Sequence, residues 1–280
     1  MAGPKRTAVG DDGWWVSHWE SAPGEIHQFL ASDGLELSGV SVADFGCGDG
    51  IMSVGLANLT GASVVGFDID PTDTDALEVE VKARGYDLSA IDVQFRSATA
   101  GALDAADAEF DIGVSWSVME HVFDRVGFMS EARRLIKPAG HLFLQVWPLW
   151  HSAHGHHLWQ WLDRFDHLRL SRDEIVEKLR ALDRLPAPLA VPGGTAATLD
   201  DYLAACGESR DDWLSQAVAS YDSCNRITVD EVQSLLIEHG FSIGRIELMA
   251  QTVQLPADLQ SIPLTRLCPD GFKLTAWRKP

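Results

Sequence analysis

Short apolar runs and longer amphipathic stretches take turns along the first half of this chain. Apolar runs of strand length occur at residues 42–44, 63–68, 91–95, 110–115 and 141–147. Stretches with helical spacing of apolar residues occur between them, at 51–59, 72–84 and 118–136. Strands that alternate with helices predict an α/β fold, in which helices cover both faces of a mostly parallel sheet.

The alternation is interrupted after the fifth run, where residues 148–226 contain no strand-like run that would extend the sheet. The usual connection in such folds is far shorter. We predict that this segment is a substrate lid, with helices at 171–182, capped by a serine, and within 198–219. The stretch 185–194, rich in proline and glycine, is expected to be a flexible turn between them.

The sheet pattern returns near the end of the chain. A helix is predicted at 229–239, and strand-like runs follow at Phe241–Met249 and Gly271–Trp277. The predicted domains are therefore an N-terminal segment at 1–36, a core at 37–147 and 227–280, and the lid at 148–226.

The N-terminal segment is rich in aromatic residues. Trp14, Trp15, His18 and Trp19 precede a short helical stretch at 25–30. Such large side chains need burial. Two placements remain open for them, as part of a roof over a ligand cleft or as packing on the sheet.

A glycine-rich loop follows the first apolar run. Asp44 ends the strand, and Gly46, Gly48 and Gly50 follow at alternate positions. Glycines allow a sharp turn into the next helix, so that a ligand can lie directly on the backbone. The acids Asp44 and Asp49 would repel a pyrophosphate but suit a ligand that carries an ammonium and a sulfonium. The charge therefore argues against NAD and for S-adenosylmethionine.

A second acidic residue stands where a nucleoside would need one. Asp68 ends the second apolar run, twenty residues after Gly48, which is the usual spacing of a carboxylate that binds ribose hydroxyls. The alternative is that Asp68 only precedes a helix. Asp70 and Pro71 are expected to begin that helix, with Asp70 as its cap.

Four segments together resemble the class I S-adenosylmethionine-dependent methyltransferases. They are residues 44–50, Asp68, 110–122 and 131–140, in the order in which that family has them. The last two strand-like runs resemble the family's antiparallel final hairpin. The resemblance implies a Rossmann-like sheet of seven strands with an antiparallel last strand, S-adenosylmethionine as cofactor and S-adenosylhomocysteine as product.

The resemblance also implies which residues contact the cofactor. It assigns the methionine portion to the glycine loop and Asp44, the ribose to Asp68, and the adenine to Ile69 and the segment around Thr99, which replaces the acid of many relatives. The complete set is Asp44, Gly46, Cys47, Gly48, Gly50, Asp68, Ile69, Ala98, Thr99, Ser115 and Trp116.

The charge composition of the chain limits the kinds of partner that it can bind. The chain has a net charge of −19, and residues 1–130 contain 22 acidic residues against 6 basic ones. An acidic surface opposes the counterion release that drives nucleic-acid binding, so we expect a small-molecule acceptor. An acidic surface that only aids solubility would explain the net charge equally well.

The sequence also indicates where the protein resides. The first residues lack the apolar stretch of a signal peptide, and no apolar run is long enough to span a bilayer. The four cysteines show no paired spacing. We therefore expect a cytoplasmic protein with reduced thiols.

Histidines supply the candidate catalytic groups. Four of them, His151, His154, His156 and His157, lie just after the fifth strand among several tryptophans. They could act as a general base, ligate a metal, or have no chemical role. No carboxylate or cysteine completes a familiar ligand spacing, so no metal is assigned. His121, after the fourth strand, is a further candidate base. The predicted catalytic residues are His121, His154, His156 and His157.

The sequence therefore predicts a methyltransferase that acts on a hydroxyl oxygen of a sugar or an aromatic small molecule. Transfer to nitrogen or carbon remains an alternative, as does a protein that binds S-adenosylmethionine without transferring its methyl group. No nucleic-acid or membrane partner is expected, and the oligomeric state is left open.

Overall fold

The computed structural model describes residues 12–70, 72–99, 102–250 and 254–280. The chain divides into two compact units. The core unit comprises the described residues from Asp12 to Val146 together with Asp230–Glu247 and Phe272–Pro280, and the second unit comprises Trp147–Val229 and Leu248–Gly271.

The core unit is built on a mixed sheet of eight strands in the order β4-β3-β2-β1-β5-β6-β10-β9. The strands are β1 Ser41–Phe45, β2 Ser63–Asp68, β3 Val93–Thr99, β4 Ala102–Leu103, β5 Phe110–Trp116, β6 Ile136–Val146, β9 Phe241–Ala250 and β10 Pro269–Arg278. Pairing among β1, β2, β3, β5 and β6 is parallel, and β10 pairs with β6 antiparallel. The predicted Rossmann-like α/β fold with an antiparallel last strand is confirmed, and the two-residue β4 is the one strand beyond the seven expected.

Helices flank these strands. They are α1 Asp12–Trp15, α2 Ala22–Ser32, α3 Ile51–Thr60, α4 Thr74–Ala83, α5 Arg125–Leu135 and α10 Val229–Glu238. A π-helical turn at Val16–Ser21 joins α1 to α2, and 3₁₀ turns lie at Leu88–Ala90 and Met119–His121. The order strand, loop, helix brings the carboxyl ends of the parallel strands to one edge of the sheet, which is where such folds place ligands.

Helix α3 packs into the core through apolar side chains that belong to two separate clusters. Met52 and Leu56 belong to the cluster that contains Ile26 and Leu30 of α2, whereas Val54 packs with Trp19 and its neighbours. The N-terminal tryptophans therefore extend the hydrophobic core of the unit.

Two sequence predictions about helix starts were wrong. Helix α4 is capped by Asp73, whose carboxylate accepts the backbone N–H of Ala76, and not by Asp70. The helix expected over 118–136 is broken, because Asp124 caps a separate α5 by accepting the N–H of Gly127. Capping aspartates start helices where their side chains can satisfy free N–H groups, and periodicity alone does not locate them.

The second unit has its own apolar core. Its elements are α6 Asp166–Arg169, α7 Arg172–Arg180, β7 Arg184–Val191, β8 Gly194–Thr198, α8 Leu199–Cys206, α9 Arg210–Ser223, a 3₁₀ turn at Ala257–Leu259 and α11 Leu264–Leu267. Ser171 caps α7 in a capping box with Glu174, as predicted. The flexible turn expected at 185–194 is wrong, because β7 and β8 pair there as an antiparallel hairpin around Gly193.

Candidate functional site

The glycine loop leaves β1 and turns sharply into α3. The backbone N–H groups of Gly46 and Cys47 both donate to the carbonyl oxygen of Phe67 in β2, over 2.7 and 3.0 Å. Gly46, Gly48 and Gly50 all have positive φ, at 86°, 57° and 85°. Residues with a Cβ rarely adopt this conformation, so the loop needs glycine at these positions.

The three glycines differ in what surrounds them. A Cβ at Gly46 would lie 2.5 Å from the side chain of Val118, and a Cβ at Gly50 would lie 2.7 Å from Phe95. A Cβ at Gly48 would meet no heavy atom within 4 Å. Gly46 and Gly50 therefore serve packing as well as the turn, and Gly48 is the glycine whose backbone faces open space.

Asp44 is a fully buried carboxylic acid at the end of β1. One carboxylate oxygen accepts the hydroxyl of Ser53 at 2.6 Å, and the other, Oδ1, has no hydrogen-bond partner. Burial raises the pKa of Asp44 to about 7, although the hydrogen bond from Ser53 lowers it, and the nearby charge of Asp68 raises it further. A buried carboxylate with a free oxygen is suited to a cationic partner.

Asp68 is fixed beside the glycine loop by backbone hydrogen bonds. Its Oδ2 accepts the N–H of Gly48 at 2.8 Å, and its Oδ1 accepts the N–H of Asp70 at 3.0 Å. Each carboxylate oxygen has further acceptor capacity, so these bonds orient the group without exhausting it. Ile69 follows with 68% of its surface exposed, which leaves an apolar face beside the carboxylate.

Cys47 is held inside the loop as a buried thiol. Its Sγ lies 3.6 Å from the hydroxyl of Thr72, and that hydroxyl donates to the carbonyl oxygen of Gly48 at 3.1 Å. Burial, with Asp44 nearby, raises the pKa of the Cys47 thiol well above its usual range, so the thiol stays protonated. All four cysteines are free, as the sequence predicted.

Ser115 and Trp116 end β5 at the same edge. The hydroxyl of buried Ser115 donates to the carbonyl oxygen of Phe45, and the Trp116 ring stacks over Phe143 at a centroid distance of 6.4 Å. Ser115 therefore holds the start of the glycine loop.

Ala98 pairs with Leu103 of β4. The Thr99 side chain lies outside the described residues, and its proposed contact with adenine stays a prediction.

Two contacts at this edge were missed by the sequence analysis. The indole N–H of Trp14 donates to Asp49 Oδ2 at 2.7 Å, and Asp49 Oδ1 accepts the N–H of Ile51 at 3.1 Å. The Trp14 ring also stacks on His18 at 3.7 Å. The N-terminal segment is therefore hydrogen-bonded to the glycine loop as well as packed on α3. The density of tryptophans indicates burial, but no local sequence pattern predicts the hydrogen bond between Trp14 and Asp49.

The second missed contact involves Ser117, which has a positive φ of 53°. Its N–H and its hydroxyl both donate to the side-chain oxygen of Gln145, each over 2.8 Å. This turn brings the next residue, Val118, against Gly46. Gln145 therefore supports the glycine loop from β6. His121, in the same segment, lies in the 3₁₀ turn and is partly buried.

The other predicted catalytic histidines lie in the second unit. Burial lowers the pKa of His154, and it lowers that of fully buried His156 to about 2. His157 is partly buried and lies edge-on to Trp147, with ring centroids 6.4 Å apart. His167, which the sequence analysis did not single out, is also buried, and burial lowers its pKa to about 4. His156 and His167 are therefore neutral at pH 7.

Residues 43–144 match the family described as a methyltransferase domain. A "Ubiquinone biosynthesis O-methyltransferase" from Brucella anthropi is 31% identical over 161 residues, which are 52% of this chain and 62% of that relative. A protein of the same description from Cereibacter sphaeroides is 34% identical over 106 residues, 38% of this chain and 40% of the relative. The chain therefore spans less than two thirds of the length of these curated relatives.

Solved structures share the fold. A methyltransferase candidate from Bacillus halodurans superposes with a TM-score of 0.54 at 16% identity, over 93% of this chain and all of that one. At this identity the similarity concerns the fold alone. Among the described residues, no helix combines the length and the apolar character needed to cross a bilayer.

Proposed function

We propose that the chain is a class I S-adenosylmethionine-dependent methyltransferase, which the match of residues 43–144 to a methyltransferase domain supports, and that it transfers a methyl group to a small molecule. Its first curated relatives are described as O-methyltransferases, which favours an oxygen atom as the acceptor. The net charge of −19 supports a small molecule over a nucleic acid.

One observation carries the proposal. A buried carboxylate with an unpartnered oxygen, Asp44, stands at one end of the glycine loop, and Asp68 is oriented by the N–H of Gly48 beside it. S-adenosylmethionine carries an ammonium, a sulfonium and a ribose diol. The two carboxylates at this edge accept hydrogen bonds and carry negative charge, so they fit those groups and would not fit the negative charges of a pyrophosphate.

In this proposal each residue has a defined task. Asp44 binds the ammonium, which brings a counter-charge to a carboxylate that is otherwise costly to ionise. Asp68 accepts hydrogen bonds from the ribose hydroxyls, and exposed Ile69 covers one face of the adenine. The open space at Gly48 admits the ligand against the backbone. The bound cofactor supplies an electrophilic methyl carbon, so the protein chiefly aligns the acceptor and excludes water.

The candidate histidines differ in whether a ring nitrogen has a lone pair that could accept a proton. Nδ1 of His156 accepts the N–H of Leu158 at 2.9 Å, so its proton is on Nε2 and its neutral ring has no free lone pair. This arrangement disfavours His156 as a general base. His121, His154 and His157 remain the candidate bases of the proposal. A sugar or an aromatic hydroxyl is the proposed acceptor.

Calorimetry with S-adenosylhomocysteine tests the cofactor site. We expect saturable binding to the wild type, loss of at least about tenfold in affinity for Asp68→Ala, and loss of detectable binding for Gly48→Val, because a branched side chain would fill the space at Gly48. Asp70→Asn is the matched control, since its carboxylate lies outside the proposed contact set, and it should bind like the wild type. Tight binding of NADH in place of S-adenosylhomocysteine would contradict the proposal.

Turnover separates an enzyme from a binding protein. Release of S-adenosylhomocysteine should be measured with separate pools of phenols, catechols, sugars and amines in the presence of S-adenosylmethionine. We expect one hydroxyl class to accelerate release above the background. Cofactor binding with no acceleration in any class would favour the non-catalytic alternative, and acceleration by amines alone would place the transfer on nitrogen.

A further inference from the structure

The segment between β6 and α7 carries two buried histidines, His156 in the loop and His167 in α6, and each has one ring nitrogen without a protein partner. His156 is 0% exposed and His167 is 5% exposed. Their rings approach with centroids 4.7 Å apart and planes inclined by 72°. His156 Nε2 and His167 Nδ1 are buried and lack hydrogen-bond partners. Two such atoms in one cluster are unusual, because buried polar groups are almost always paired.

The protonation of both rings follows from their other nitrogens. His156 Nδ1 accepts a backbone N–H from Leu158, so the proton of this ring is on Nε2. His167 Nε2 lies 2.6 Å from the carbonyl oxygen of Trp150, which can only accept, so the proton of that ring is on Nε2 and Nδ1 has a free lone pair. The pKa values of about 2 for His156 and about 4 for His167, both lowered chiefly by burial, keep the two rings neutral at pH 7.

The unpartnered atoms are therefore one donor and one acceptor. This pair is selective by its chemistry. A carboxylate would find a donor at His156 but repulsion from the lone pair of His167, and a metal ion would find a lone pair at His167 but a proton at His156. A hydroxyl group both accepts and donates, so its chemistry matches one donor together with one acceptor.

The loop backbone is shaped to hold this arrangement. Gly155 passes so close to Trp150 that a Cβ would collide with the Trp150 carbonyl oxygen, the same oxygen that His167 binds. The His156 N–H donates to the His154 carbonyl oxygen at 2.6 Å. Tyr221 and Trp150 pack around the rings, with Tyr221 6.4 Å from His156 and Trp150 5.1 Å from His167.

We propose that His156 and His167 form a binding site for one neutral hydroxyl group of an alcohol or a phenol, with His156 as the hydrogen-bond donor and His167 as the acceptor. The site belongs to the second unit alone. Its identification with the methyl acceptor's hydroxyl rests on the proposed function, whereas hydroxyl binding itself does not.

Nitrogen-15 NMR of the histidine side chains in the full chain at pH 7 tests the proposal, with phenol as the probe. We expect phenol to shift His156 Nε2 and His167 Nδ1 together and saturably, and toluene, which has the same ring without a hydroxyl, to leave both nitrogens unchanged. His239, whose Nδ1 contacts the Leu235 carbonyl oxygen, serves as an internal reference that phenol should not shift.

Two variants keep the existing bonds and remove only the free atoms. In His156→Asn the amide oxygen can still accept the Leu158 N–H, but the Nε2–H is lost. In His167→Gln the amide N–H₂ can still donate to Trp150, but the Nδ1 lone pair is lost. Each should weaken phenol binding about tenfold, with an unchanged circular dichroism spectrum.

The titrations of the wild-type protein test the hydroxyl-binding proposal even if a variant does not fold. No shift with phenol up to its solubility limit would mean that an ordered water alone fills the site, and would overturn the proposal. Equal shifts with toluene, or stronger shifts with acetate or zinc chloride, would overturn it as well. Because these titrations need no cofactor, a failure of methyl transfer and a failure of hydroxyl binding give different results.

Discussion

The carboxyl group of Asp44 combines deep burial with a pKa of about 7, near neutrality. Its folded-state pKa is raised above the usual 3.8, mainly by burial. In the free protein, the stability contributed by this group is therefore fully present below about pH 4 and is lost as the pH rises through about 7. In the proposed role of Asp44, ligand binding has the opposite pH dependence, because an ammonium prefers the ionised carboxylate.

We therefore predict that S-adenosylhomocysteine binds more tightly as the pH rises. Between pH 6 and pH 7 the ionised fraction of a group with a pKa of about 7 increases roughly fivefold, and the affinity should follow it. Calorimetry across this range measures the change. Asp44→Asn should bind weakly with little pH dependence, and an equally steep dependence in that variant would show that another group titrates.

Spacing along the chain could predict the residues that touch across neighbouring elements, but not the distant contacts. Asp68, twenty residues after Gly48, accepts the N–H of Gly48, and its contact with ribose stays a prediction. Trp14 and Asp49 are 35 residues apart, and their contact depends on how the N-terminal helices pack on α3. The tautomers of His156 and His167 likewise depend on backbone groups that no sequence pattern reveals.

At the scale of elements, a hydrogen bond from Trp14 to Asp49 joins the N-terminal helices to the glycine loop. Trp14→Phe keeps the aromatic ring and removes the indole N–H that Asp49 accepts. We predict a loss of about 0.5–1.5 kcal/mol in unfolding free energy and a several-fold loss of affinity for S-adenosylhomocysteine, because the loop loses a constraint on Asp49.

Chemical denaturation and calorimetry provide the two measurements. Val16→Ala is the matched control, since Val16 is 45% exposed in the adjoining turn, and it should change neither quantity appreciably. Unaltered binding in Trp14→Phe would show that the N-terminal segment only packs on the core.

Most strands of the sheet could be predicted because the parallel strands β1, β2, β5 and β6 contain buried apolar runs, whereas several helix boundaries and the hairpin could not. Asp70 is the cap that the sequence predicts for α4, whereas the structure uses Asp73. Residues 185–194 contain prolines and glycines that favour a turn, yet β7 and β8 pair across Gly193. An isolated two-stranded hairpin has a weak sequence signal because its stability comes from packing on its neighbours.

At the scale of the whole molecule, the excess of 41 acidic over 22 basic side chains leaves a charge of −19 that no internal pairing can neutralise. Self-repulsion of this size destabilises a compact state, and salt screens it over about 10 Å at 0.1 M. Salt also weakens exposed ion pairs such as Arg172 with Asp222, but such pairs contribute little.

We therefore predict that the thermal midpoint rises by about 2–4 °C when sodium chloride is raised from ~0.05 to ~0.5 M, equivalent to about 1 kcal/mol. Scanning fluorimetry at pH 7 measures it. The same titration near pH 5, where part of the carboxylates are protonated, should show a smaller gain. A midpoint that falls with salt at pH 7 would mean that ion pairs outweigh the repulsion.

The burial of Cys47 has a practical consequence. A thiolate is the form that attacks electrophiles and is oxidised, and the raised pKa and the packing of Cys47 suppress that form inside the glycine loop. Cys206, by contrast, is exposed at the end of α8. Maleimide dyes should therefore attach first to Cys206, so that a fluorescent reporter can be installed on the native chain while the loop beside Asp44 stays chemically intact.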